Sequence, residues 1–219
     1  MPKTCKNILV STCGLLIATL LFTCSAFANA QQEAEQTLQH AVDEITLTLN
    51  NANLNNLRED SSVISQLEGL ILDIFSMDQF SMRTVGKKWK TFTPTQKTEF
   101  KDAFVKLLKA TYFKQVSNYS GQTLDILGSR TNKKGTKVEV RTSIKYKSEN
   151  VPVNYRMLRE NGKWMVYDVL VEGVSLVKNY RTQFKELLRN GTPDELIAKL
   201  QQKAVLIRQQ QAEEAADKQ

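Results

Sequence analysis

Cysteine and histidine are scarce in this chain of 219 residues, and their places exclude much of the chemistry they usually carry. Cysteine occurs three times, as Cys5, Cys13 and Cys24, all near the N-terminus. The rest of the chain has no disulfide, no thiol nucleophile and no thiolate metal ligand to offer. The sole histidine, His40, has no companion at metal-ligand spacing and reads as a surface residue of a helix. Nine glycines and four prolines exclude collagen-like and proline-rich classes. No phosphate loop or dinucleotide fingerprint is present. Gly173-Val174-Ser175-Leu176-Val177 begins like a nucleophile elbow, but the fifth residue is valine and no histidine follows it.

What the chain does have begins with a secretory signal. Lys3 and Lys6 precede an apolar run over residues 8–22, and Ala28-Asn29-Ala30 offers small residues for cleavage after Ala30. The run is shorter than the roughly 20 residues that span a bilayer. The expected division is a signal over residues 1–30, a single domain over 31–210 and a polar tail over 211–219. The expected location is an oxidising extracytoplasmic compartment. The formal net charge is +7, and the two signal lysines are the only charges before residue 31. The basic groups around Lys87, Lys101 and Lys134 read as a solvated face or as attraction to an anionic lipid surface or acidic partner. Nucleic acid is not expected, because exposed stacking aromatics are not evident and a secretion signal precedes the domain.

Hydrophobic periodicity predicts an α+β fold. Helical stripes run through Ala34, Leu38, Ile45 and Leu49, and through Leu67, Ile71, Ile74 and Phe75. A short helix is expected over residues 78–89. Thr93-Pro94-Thr95-Gln96 is a capping box with proline at the first helical position, and the helix behind it carries Phe100, Phe104, Leu108 and Tyr112. The period changes to two after Ser120-Gly121. Four strands are expected, around Leu124 and Ile126, Val138 to Tyr146, Val151 to Met157, and Trp164 to Val171. Asn161-Gly162 reads as a tight hairpin turn. With uninterrupted pairing, Met157 faces Val166, Val153 faces Leu170, and Asp168 lies opposite Tyr155 on the apolar face. A four-residue loop over 147–150 would pair Tyr146 with Val151. Two more helices follow Gly173, the second capped by Thr192-Pro193-Asp194-Glu195.

Asp168 is the one carboxylate placed on the apolar face, and it needs a partner there. It reads either as a structural group held by a hydroxyl or by helix-start amides, or as an acid or base paired with Tyr155 in an apolar pocket.

Two sequence blocks carry a family resemblance. Trp164-Met165-Val166-Tyr167-Asp168-Val169, followed by Glu172-Gly173-Val174-Ser175-Leu176 through Phe184, resembles the signature of the MlaC family, the periplasmic phospholipid-binding or toluene-tolerance proteins. Gly86-Lys87-Lys88-Trp89, Thr93-Pro94-Thr95-Gln96, Phe100, Phe104, Tyr112 and Tyr119-Ser120-Gly121-Gln122 resemble its central region in order and spacing. The resemblance implies a four-stranded antiparallel twisted sheet surrounded by helices, with an apolar pocket between them. It implies a monomeric, non-enzymatic carrier with no cofactor, whose cargo is phospholipid. It implies partners in an outer-membrane lipoprotein–porin complex and an inner-membrane ABC transporter with an MCE-domain ring, and a role in outer-membrane lipid asymmetry. A branch linked to hopanoid lipids shares the motif.

Family architecture and periodicity together assign pocket walls. Phe100, Phe104, Leu108 and Tyr112 are expected on the helical wall. Val140, Ile144, Val153, Tyr155, Met157 and Val166 are expected on the sheet wall, with Val174, Val177 and Tyr180 near the mouth or opposite wall. Two other readings stay open: an enzyme using Asp168 and Tyr155, and a ligand-free interaction module.

Overall fold

The computed structural model describes residues 11–52, 61–117, 122–146 and 149–217. Helix α1 spans Ser11–Asn51, α2 spans Ser61–Ile74 and α3 spans Met77–Val85. A 3-10 segment, Gly86–Thr91, leads to α4, Pro94–Ser117. Strands β1 (Thr123–Thr131), β2 (Lys137–Tyr146), β3 (Glu149–Glu160), β4 (Lys163–Val171) and β5 (Val174–Ser175) form an antiparallel sheet in chain order. Helices α5, Leu176–Asn190, and α6, Pro193–Ala216, follow.

The sheet therefore has five strands, not four. Val171 and Val174 pair across Glu172 and Gly173, whose φ angles of 51° and 80° make a two-residue turn with both centres left-handed. A two-residue strand is too short to show alternation, and glutamate at positive φ is not a usual turn signal. Asn161 and Gly162, at φ 49° and 82°, form the expected turn of the same kind.

Two registers differ from the alternation-based expectation. Ile144 pairs with Val151 and Tyr146 with Glu149, so β2 and β3 slide by two residues. An even slide keeps every side chain on its face. Residues 147 and 148, and the period change at 120–121, lie outside the described residues. The second difference has larger consequences. Met157 faces Val166 as expected, but the ladder then slips at Tyr167, and Arg156 faces Asp168 while Val153 faces Val171. This bulge turns Asp168 and Leu170 away from the apolar face and puts Val169 there instead.

Two large apolar cores result among the described residues, beside a small cluster of Leu49 and Leu67 between α1 and α2. Val138, Val140, Val153, Met157, Val166 and Val169 of the sheet pack against Ala30, Ala34 and Leu38 of α1. Glu33 anchors α1 by accepting from Trp164 Nε1 at 3.1 Å and Arg159 Nη2 at 2.5 Å. The second core is helical, with Phe80, Phe100, Phe104, Phe184, Leu188 and Leu196 at its centre. Phe104 touches the rings of Phe80, Phe100, Tyr180 and Phe184, with centroids 4.9–5.6 Å apart. Helices α4 and α6 run side by side in the same direction. Gln96 meets Asp194 near their starts, and Gln211 donates to the Ala110 carbonyl farther along. Both capping boxes form as predicted. Helix α6 continues through the expected polar tail to Ala216, and α1 runs unbroken through the expected cleavage position.

Asp168 joins the two cores. It is 3% exposed and accepts from Ser175 Oγ at 2.7 Å, the Val177 amide at 3.0 Å and Arg156 Nη1 at 3.1 Å. Replacing it with alanine strands the buried Ser175 hydroxyl and Val177 amide and leaves the partly exposed Arg156 with Glu139 alone, and each stranded buried donor costs about 1–3 kcal/mol. Asp168→Ala is expected to lower the urea unfolding midpoint by that equivalent, with Asp168→Asn intermediate. An unchanged midpoint for Asp168→Ala would contradict this role.

Candidate functional site

Phe75 and Leu176 each pack against both cores, so they mark the seam between the sheet layer and the helical layer. An apolar cavity of about 190 Å³ lies at that seam. Its lining comes from four elements and the segments between them. Ile71 and Leu72 come from α2, Phe80 from α3, and Val105, Leu108 and Tyr112 from α4; Phe75 and Leu176 close the seam side. Local structure fixes the chain beside the cavity. Phe75 makes a parallel bridge to Val166, and the Ser76 amide donates to the Val166 carbonyl at 2.9 Å. Ser76 then caps α3 through the Gln79 amide. The α2–α3 corner is thereby pinned to the bulged strand rather than to α4.

The edge of the cavity carries one ion pair. Lys109 of α4 meets Glu68 of α2, both side chains about one-quarter exposed. This pair is the polar closure of an otherwise apolar lining.

The sequence-predicted wall residues divide among four places. Leu108 and Tyr112 line the cavity. Phe100, Phe104, Val177 and Tyr180 stand in the helical core, with Phe104 behind Phe80. Val140, Val153, Met157 and Val166 lie buried in the sheet core, with Ile144 and Tyr155 partly buried against it. Val174 is 61% exposed on β5. Among the described residues, Phe75 and Leu176 stand between the helical and sheet walls. Those two residues, with Ile71, Leu72 and Phe80, were not assigned from sequence. The α2 stripe was visible, but periodicity names an apolar face without naming its partner.

Asp168 and Tyr155 are not a catalytic pair. They are neighbours of opposite parity across the bulge, Asp168 facing Arg156 and Tyr155 facing Val169. Burial pushes the Tyr155 hydroxyl up to about 12, although the residue keeps some exposure. Burial, aided by the Tyr112 hydroxyl, also pushes Tyr180 up. Neither phenol ionises near neutrality. No group of three metal-ligating side chains occurs among the described residues. His40 sits on α1 beside Glu44, exposed.

A sequence model of the MlaC protein family matches residues 39–202. The chain belongs to the MlaC family. It is 23% identical over 195 residues to the intermembrane phospholipid transport system binding protein MlaC of Haemophilus influenzae, covering 84% of this chain and 91% of that protein. Its fold is also similar to that of a phospholipid-binding protein from Ralstonia solanacearum solved with a phospholipid bound. That match has a TM-score of 0.72 and 25% identity, over 80% of this chain and 99% of the other. Both relatives are described as phospholipid-binding or phospholipid-transport binding proteins.

The raised Tyr155 pKa has a stability consequence. Between pH 10 and 12 the unfolded chain releases a phenolic proton that the folded chain keeps, so folding stability falls as pH rises through that window. Alkaline absorbance titration of the wild type minus Tyr155→Phe is expected to show a phenol with its midpoint near 12. A midpoint near 10 would show that the hydroxyl is solvated.

Proposed function

We propose that this MlaC-family chain is a phospholipid carrier whose acyl chains enter at the seam between the two cores. The observation that carries the reading is the apolar cavity at that seam, lined by Phe75, Phe80, Leu108 and Leu176. It occurs in a fold similar to one solved with phospholipid bound. The cavity is below the roughly 300–1,000 Å³ of pockets that hold drug-sized ligands. A phospholipid therefore requires the seam to widen, parting Phe75 and Leu176 and exposing both wall sets to the chains. Phe100, Phe104, Tyr180 and Val177 then support the helical wall, and Val140, Val153, Met157 and Val166 support the sheet wall. Ile144 and Tyr155 border the sheet wall, and Val174 stands outside it.

The energetics suit a shuttle. Transfer of a 16-carbon chain from water to an apolar site is worth roughly 12 kcal/mol, at about 0.8 kcal/mol per methylene. A bilayer offers a similar environment, so the difference between membrane and carrier is small. Loading and unloading are both feasible when the carrier docks directly on a membrane complex. The carrier itself needs no cofactor and no catalytic group. In this reading residues 1–30 direct export to the periplasm and are removed. The domain works as a monomer between an outer-membrane lipoprotein–porin complex and an inner-membrane MCE-domain ABC transporter, maintaining outer-membrane lipid asymmetry.

Native mass spectrometry of protein purified from periplasm without detergent is expected to show an added phospholipid mass. Leu108→Trp fills the cavity and is expected to reduce that species at least about tenfold with the circular dichroism spectrum unchanged. Full lipid occupancy in the folded variant would exclude this cavity as the entry point. A hopanoid mass would move the cargo to the related branch, and a bare protein that also fails to take up added lipid would favour an interaction module. Lys109→Glu places two carboxylates at the seam edge. It is expected to speed exchange of a fluorescent phospholipid with vesicles several-fold, and an unchanged rate would show that the ion pair does not restrain the seam.

A further inference from the structure

A cleft of about 680 Å³ lies on the other side of α3 and the α5 start from the apolar cavity. The two share a wall. Leu176 faces the cavity while Ser175 and Val177 line the cleft, and Phe80 faces the cavity while Arg83 lines the cleft. Four cations, Arg83, Arg156, Lys178 and Arg181, line the cleft against one carboxylate, Asp168. That carboxylate is occupied by Ser175, Val177 and Arg156. Arg156 is further matched by Glu139 at 2.9 Å. The excess positive charge therefore belongs to Arg83, Arg181 and Lys178.

Their positions are set by the fold. Arg181 Nε donates to the Arg83 carbonyl at 2.6 Å, which fixes its guanidinium against the end of α3. The Arg83 guanidinium lies over the Tyr167 ring, 4.4 Å from its centroid, and Nη2 donates to Gln79 at 3.0 Å. Arg83 Nε is buried and has no acceptor, so turning the group toward an anion breaks no bond at that nitrogen. Tyr167 is the bulge residue of β4, so the same slip that buries Asp168 presents the ring under Arg83. The helix start adds little. The amides of Val177 and Lys178 are already taken by Asp168 and Ser175, which leaves the side chains to hold any ligand.

We infer that this cleft is a phosphate-binding site, with Arg83, Arg181 and Lys178 as its ligating cations. Guanidinium forks match the paired oxygens of a phosphate, and the cleft brings two of them and a lysine to one place. The phosphate can come from a lipid headgroup or from free phosphate. The headgroup source rests on the carrier reading, whereas the free-phosphate source does not.

The experiment follows backbone amide NMR shifts of the mature protein at physiological salt. One titration uses inorganic phosphate, and the other uses dihexanoyl phosphatidylglycerol below its micelle concentration. Shifts centred on residues 174–182, weakened about tenfold by Arg83→Gln and several-fold by Lys178→Gln, are the expected result. Lys185→Gln, on the exposed face of α5, is expected to bind as the wild type does. Binding of both probes, with Leu108→Trp weakening only the lipid, assigns the site to a headgroup whose chains occupy the cavity. Binding of inorganic phosphate alone keeps the site and detaches it from the carried lipid. Shifts in neither titration, or shifts that survive Arg83→Gln and Lys178→Gln unchanged, overturn the assignment. Failure of the carrier reading is registered separately, by wild-type protein that is purified without lipid and takes up none when lipid is added.

Discussion

Asp168 is almost fully buried and carries a charge, and the local architecture is arranged to hold it. An ionised carboxylate in an apolar interior is tolerated only with donors around it. Ser175, the Val177 amide and Arg156 supply them. The donors come from β3, β5 and the first turn of α5, so meeting the demand of one side chain fixes where the last two helices leave the sheet. Helix α5 then delivers Val177, Tyr180, Phe184 and Leu188 into the helical core, against Phe100 and Phe104 of α4. This polar cluster sits beside the seam and its cavity rather than within them.

The bulge at Tyr167 makes that possible. An uninterrupted β4 would set Asp168 among Val153, Met157 and Val166, away from the Ser175, Val177 and Arg156 donors. One extra residue flips the strand after Val166, brings Val169 inward and turns Asp168 toward α5. The displaced tyrosine becomes the platform for Arg83. A single local irregularity thus serves the sheet core, the start of α5 and the cationic cleft together.

Carrying a lipid and folding stably set opposite demands on a small domain. A large apolar cavity deprives its lining of the close packing that a domain of this size needs. The cavity here is small, about 190 Å³, and both cores are closely filled around it. Splitting the apolar groups between two cores that meet along a seam resolves the conflict. In the proposed carrier, each core would keep its own packing as the seam widens, and acyl chains would fill the space between them.

The elements were largely legible because their signals are local. Capping boxes at Thr93 and Thr192, the Asn161-Gly162 turn and the 3.6- and 2-residue periods each act over a few residues, so the helices and four of the strands follow from sequence. Family membership followed from two spaced blocks. What depended on contacts distant in sequence was not legible. The β4 bulge has no marker in Trp164-Met165-Val166-Tyr167-Asp168, because it is imposed by the need to pair Asp168 with donors on β3, β5 and α5. The partner of each apolar stripe was equally hidden: α1, not α4, covers the sheet valines, and Phe75 and Leu176 take the seam. Periodicity determines that a face is apolar and must be buried. Only the tertiary structure decides what buries it, because that choice minimises exposed apolar surface and unpaired polar groups over the whole chain at once.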